Sequence, residues 1–213
     1  MTQEHYPPNS SASQSVAKYI PPGYHLAGDL FEDFEALPVW RWLLSANLWA
    51  LVPMIGAVLC LWLPYRFYIA LGAPYAALPQ IAWGDAARAA LTISLMLATI
   101  PIHEGLHALT LRLLGYPARL LWGRGYFYAT TTGILSRRHY MRMALTPILV
   151  MTTAGGLLLP LVPVAVGEAL VLALLLNSAA SIGDLFVVTR LLRQPPAALF
   201  ADDGGIKIYL PKP

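Results

Sequence analysis

Four long apolar runs, at residues 39–63, 86–114, 142–166 and 169–192, dominate the chain, separated by shorter polar or turn-rich stretches. Each is long enough to cross a bilayer as a helix, which takes about 20 residues. Trp40 and Trp42 flank the first run at one end and Trp62 and Tyr65 at the other, as in aromatic belts at two interfaces. Pro53 predicts a kink in this run, and Pro101, inside the second, cannot donate to the carbonyl of Leu97. Between the second and third runs the pattern shortens to β-favouring stretches at 118–122 and 126–132 around Gly123-Arg124-Gly125, which predicts a hairpin. The third run carries Pro147 and the small cluster Thr152-Thr153-Ala154-Gly155-Gly156, suited to close helix packing. Ahead of the first run, Leu26, Leu30, Phe31, Phe34 and Leu37 recur at helical spacing, with Asp29, Glu32, Asp33 and Glu35 on the other face. This predicts a short helix over 26–37, either interfacial or an ordinary packing helix. Residues 1–23, rich in Pro, Ser, Asn and Gln, are expected to be a disordered tail. After Pro195-Pro196 comes a short polar segment with a turn at Asp202-Asp203-Gly204-Gly205 and a strand-like stretch at 206–210.

The expected fold is an all-α membrane protein: a bundle of about four transmembrane helices, a short β-hairpin between the second and third, and a short polar C-terminal tail. In domain terms, 1–38 is a tail with the interfacial helix, 39–193 the bundle and 194–213 a cytoplasmic tail. Composition agrees, because 57% hydrophobic and 12% charged residues, with a mean hydropathy of +0.58, are too apolar for a soluble domain. A single cysteine, Cys60, rules out an intrachain disulfide and reads as a small buried hydrophobe. The basic residues behind the net charge of +3 are scattered, so no nucleic-acid partner is expected. They report orientation instead. With the N-terminus in the cytoplasm, only Arg66 and Arg88 of the 14 Lys and Arg residues fall on the opposite side, so both termini are expected inside.

Chemistry concentrates in Ile102-His103-Glu104-Gly105-Leu106-His107-Ala108, which sets two imidazoles and a carboxylate in the second apolar run. An H-E-x-x-H pattern on a helix stacks its histidines on one face, where both reach one metal ion, and leaves the glutamate beside it. An ionisable group near mid-span costs roughly 2.5–3.5 kcal/mol on insertion scales, so three within one stretch point to use. Catalytic zinc takes three protein ligands, and depth along the helices suggests the third. His107 lies eight residues before Gly115 and Asp184 nine before Arg193, about 10–14 Å in from the cytoplasmic helix ends. Asp202 and Asp203 are alternative ligands in a surface-turn context, and a packing or Arg-paired role competes for Asp184. Asn177, two turns before Asp184, is placed to hold substrate backbone or a developing oxyanion, with a polar bond between helices as the competing role. His5, His25 and His139 read as tail or loop residues.

Over roughly 86–210 the chain resembles the membrane-bound zincin peptidases of bacteria and archaea, a group similar to the site-2 (intramembrane metallo-) proteases. The resemblance rests on His103-Glu104-x-x-His107, the aromatic segment from Gly125 to Tyr128, and Leu135-Ser136-Arg137-Arg138. It also rests on Pro147, Asn177, Ser181-x-Gly183-Asp184-Leu185 and the terminal Asp203-Gly204. It implies a Zn2+ metallopeptidase hydrolysing peptide bonds of membrane proteins in or near the bilayer, with His103, His107 and Asp184 as ligands and Glu104 as catalytic residue. The expected partners are the lipid bilayer and a membrane-protein or peptide substrate, which the 118–132 hairpin would receive by strand addition. Two other classes compete: a non-catalytic membrane protein with a structural or regulatory zinc site, and a zinc hydrolase acting on a non-protein amide.

Overall fold

The computed structural model describes residues 20–32, 39–72, 84–123, 126–202 and 205–213. Among them, four helical stretches are long and apolar enough to cross a membrane: Asn47–Ala70, Asp85–Leu113, Arg137–Leu161 and Val164–Leu192. The first is composite. Helix α1 (Val39–Ala57) runs through Pro53 into a π-helical turn (Val58–Trp62) and then α2 (Leu63–Ala70), so helix continues past the expected end at 63. The wide turn precedes Pro64, which has no N–H for the carbonyl one turn back, and Leu63 N–H bonds the carbonyl of Val58. Cys60, on this turn, is exposed and not buried as expected, because the turn presents it outward.

Helix α3 (Asp85–Leu113) continues through Pro101 and carries both central histidines. It stops at Gly115, whose φ of +86° is a left-handed conformation favourable to glycine. The N–H of Tyr116 then reaches back to the carbonyl of Leu111 at 2.9 Å, which closes the last turn and directs the chain into a hairpin. Strands β2 (Ala118–Gly123) and β3 (Tyr126–Thr131) pair antiparallel, with Leu120 opposite Ala129, as the short β-favouring runs predict. The hairpin's turn residues 124–125 lie outside the described residues. A short strand β4 (Ile134–Ser136) follows, and the Ser136 hydroxyl caps α4 (Arg137–Leu158) by accepting from the N–H of His139 at 3.3 Å. Helix α4 therefore starts five residues earlier than the 142 read from hydropathy, because the cap and not the apolar run sets its start.

The last apolar run is two helices, α5 (Val164–Ala180) and α6 (Ile182–Leu192), joined at Ser181. There the Ser181 hydroxyl donates to the carbonyl of Asn177 at 2.8 Å, competing with the helical bond from its own N–H at 2.9 Å. Such back-bonding bends helices. Helices α4 and α5 approach closely at Gly155, where any Cβ would overlap Leu174, the packing that the small cluster predicts.

The all-α expectation needs correction. A four-stranded antiparallel sheet in the order β1-β6-β5-β4 joins the two ends of the chain: β1 (Tyr24–Asp29), β5 (Leu199–Asp202) and β6 (Ile206–Pro211) with β4. The helix expected over 26–37 is a strand through Asp29; residues 33–38, like 1–19, lie outside the described residues. Pairing of Leu26 with Tyr209 and Asp29 with Lys207 overrides the helical spacing, and the Lys207 ammonium lies 3.1 Å from the Asp29 carboxylate. Nor is 194–213 a tail. Phe200, Ala201, Ile206, Ile208 and Tyr209 are buried, and with Leu30, Leu111, Leu135, Tyr140 and Leu191 they hold the sheet against the ends of α3, α4 and α6. Phe200 is fully buried edge-to-face against Tyr140, 6.0 Å between centroids. Replacing Phe200 by Ala should therefore destabilise the fold by about 3–5 kcal/mol, read as a lowered thermal unfolding midpoint in detergent. An unchanged midpoint would show that the strands contribute nothing to the bundle.

Candidate metal centre

Helix α3 sets His103 and His107 one turn apart on one face, both buried, with ring centroids 4.9 Å apart. Across from them the bend at Ser181 presents Asp184 from the first turn of α6. Its carboxylate spans the two rings, with Oδ2 at 3.0 Å from Nε2 of His103 and Oδ1 at 3.3 Å from Nε2 of His107. The two Nε2 atoms are 3.2 Å apart. Among the described residues these three side chains form the group able to hold a metal ion, with ligand atoms all within 4.8 Å of one another.

Each ring is fixed from behind. Nδ1 of His107 lies 2.9 Å from the carbonyl oxygen of Met143, which can only accept, so Nδ1 carries the proton and Nε2 keeps its lone pair. Nδ1 of His103 lies 2.9 Å from Oδ1 of Asn177, and a proton there again leaves Nε2 free. Two lone pairs and a carboxylate crowded at one point repel unless a cation sits among them. Atoms held about 2.0–2.1 Å from a tetrahedral zinc lie about 3.3 Å from one another, close to the three separations here. The donor set, two neutral imidazoles and one carboxylate, thus fits zinc.

Glu104 is half-buried and turned aside from this cluster. Its Oε2 accepts from the backbone N–H of Ala129 at 2.8 Å, so β3 holds the carboxylate beside the two histidines. The same strand ties back to the sheet, where the Thr130 hydroxyl donates to Asp202 at 2.8 Å. Asp202 is thereby engaged away from the histidines, and Asp203 lies outside the described residues. His139 is not a free loop residue, since its Nδ1 lies 2.9 Å from the Tyr116 hydroxyl. His25 stands on β1, apart from the metal cluster.

Asn177 is fully buried between helices, with its carbonyl oxygen 2.9 Å from Nδ1 of His103, which is the polar bond between helices that competes with a substrate-holding role. Its Nδ2 has no hydrogen-bond partner among the described residues. The Ser181 bend turns Asp184 toward the ligand nitrogens while α5 keeps Asn177 behind the ring. The carbonyl of Met143 and the amide of Ala129 escape sequence reading because they are backbone groups. Only Pro147, four residues after Met143, signalled a free carbonyl.

Residues 96–199 match the family model described as "Putative zincin peptidase". The matched zincin segment begins on α3 ahead of the histidine pair, takes in Asp184 and ends at the first residue of β5. It is the family that the motifs resemble. No curated protein and no solved structure matches the chain. On this zincin reading, metal analysis of the purified protein should find about one zinc per chain, and Asp184→Ala should weaken zinc binding by at least about tenfold. Asp202→Asn should keep the zinc, since the Thr130 hydroxyl holds this carboxylate away from the histidines. Zinc loss in Asp202→Asn together with retention in Asp184→Ala would reassign the third ligand.

Proposed function

We propose that this protein is a membrane-embedded zinc metallopeptidase that hydrolyses peptide bonds of membrane proteins in or near the bilayer. The observation that carries the reading is the convergence of two histidine Nε2 atoms and one carboxylate, beside a glutamate from the same helical turn. The match to the zincin peptidase family supports the reaction class.

His103, His107 and Asp184 would hold the metal. Zinc, when bound, lowers the pKa of water toward about 7 and polarises a carbonyl. Glu104 then acts as general base, accepting the proton of the attacking water as the C–O bond forms and passing it to the amine as the C–N bond breaks. The amide of Ala129 holds Oε2 of this carboxylate and leaves Oε1 for the water. Ala129 also turns its N–H away from β2, so the free edge of β3 faces the site and offers main-chain pairing to an extended substrate segment.

Support for the bilayer comes from the outward faces. Leu48, Val52, Ile55 and Leu59 form one stripe on the first span, each between 53% and 60% exposed, a surface that water does not favour. The basic residues Arg137, Arg138, Arg142, Arg190 and Arg193 gather where α4 begins and α6 ends, beside the sheet, whereas Arg66 pairs with Glu168 at 3.8 Å near the start of α5. This asymmetry supports a topology with both termini in the cytoplasm.

Glu104→Gln should keep about one zinc per chain and the parental fold, yet cleave at least about a hundredfold more slowly, since the amide cannot take the water proton. Undiminished cleavage by this variant would refute the mechanism; a peptide-inactive parent that hydrolyses small amides would redirect it. For orientation, reporter fusions after Tyr75 should read as external, and those after Arg124 or appended to residue 213 as internal. An external Arg124 would invert the assignment.

A further inference from the structure

Helix α4 places a proline four residues after the carbonyl that supports His107. In an uninterrupted helix the carbonyl of Met143 accepts the N–H of residue 147. Residue 147 is Pro, which has none, and it sits fully buried inside α4. The freed carbonyl accepts instead from Nδ1 of His107, 2.9 Å away on α3.

We propose that Pro147 is a positioning residue for the metal site: by withholding an N–H, it reserves the Met143 carbonyl for His107 and so fixes that ring with Nε2 toward Asp184. The proposal rests on the zinc reading above. Its logic parallels the other ring. His103 needs an acceptor from α5, and there a side chain, Asn177, supplies it. For His107 the acceptor comes from the backbone of α4, and a missing N–H at residue 147 leaves that carbonyl without its helical donor. A proline kept for bending alone would leave its orphaned carbonyl to water or lipid-side packing. This one is directed at a candidate ligand. Partners behind metal-binding histidines hold the ring in place and make the ligand nitrogen a better donor.

The test uses the full chain in detergent micelles and measures zinc affinity by competition with a chelator, alongside thermal unfolding of the metal-free protein. Pro147→Ala restores an N–H that competes for the Met143 carbonyl. It should weaken zinc binding about tenfold while leaving the unfolding midpoint unchanged or raised, because alanine favours the helix. A purely structural proline predicts the reverse, a lowered midpoint with parental zinc affinity, and that result would overturn the proposal. Replacing Pro147 by lactic acid, which carries an ester oxygen in place of the N–H, should recover parental affinity without the proline ring. If the ester variant binds zinc as weakly as Pro147→Ala, the ring and not the missing donor matters, and the proposal fails. Should Pro147→Ala not fold, the ester variant decides alone, parental affinity supporting the proposal and weakened affinity overturning it. A parent that binds no zinc, or His107→Ala that binds it undiminished, would defeat the site reading itself.

Discussion

A polar group among apolar helices must find a partner, and one continuous chain of partners organises this bundle. It runs from the Met143 carbonyl through His107, Asp184 and His103 to Asn177. In doing so it ties α4 to α3, α3 to α6 and α3 again to α5. The irregularities of the helices are what allow it to close. Pro147 frees the carbonyl at one end, and the bend at Ser181 lets two neighbouring stretches of one apolar run serve opposite sides of the same ring. Straight helices of the same composition would bury the same apolar surface and leave these polar groups unmet.

The sheet supplies what the helices cannot. Gly155 against Leu174 sets α4 close to α5, and the sheet adds a shared core at the ends of α3, α4 and α6. Leu111, Tyr140 and Leu191, one from each helix, meet Phe200, Ile206 and Ile208 of the terminal hairpin in a single core. Because β1 closes the sheet by pairing with β6, residues from both ends of the chain contribute to the frame around the candidate centre. The contact between Thr130 and Asp202 extends that frame to the β2–β3 hairpin, and through Ala129 to Glu104.

Legibility in the sequence followed the range of the interaction. The four apolar helices and the stacking of His103 on His107 depend on local periodicity, and both could be read directly. Asp184 could be reached by counting residues from the helix ends, since rise per residue converts sequence position into depth. The strand at Tyr24–Asp29 could not. Its helical spacing of leucine and phenylalanine is real, but pairing with residues near the other end of the chain decides its conformation. Asn177 was visible as a polar residue in an apolar run, yet its direction depends on a bend that hydropathy does not register. Backbone partners leave no side-chain trace of their own, so Ala129 was silent and Met143 was marked only by Pro147 four residues on.

The position of Glu104 shows how these levels combine. One residue along α3 from His103 is a turn of about 100°, so its carboxylate cannot share the face that the two histidines present to Asp184. It leans instead toward the hairpin, where a backbone amide takes one of its oxygens. A carboxylate has acceptor sites to spare, so the bond orients the group without using up its capacity for a proton. Any shift of β3 therefore moves the proposed base relative to the candidate ligands, while His103 and His107 stay fixed by α5 and α4. In the proposed mechanism, substrate pairing along the edge of β3 would act on the element that aims Glu104 and would couple recognition to proton transfer through a single hydrogen bond.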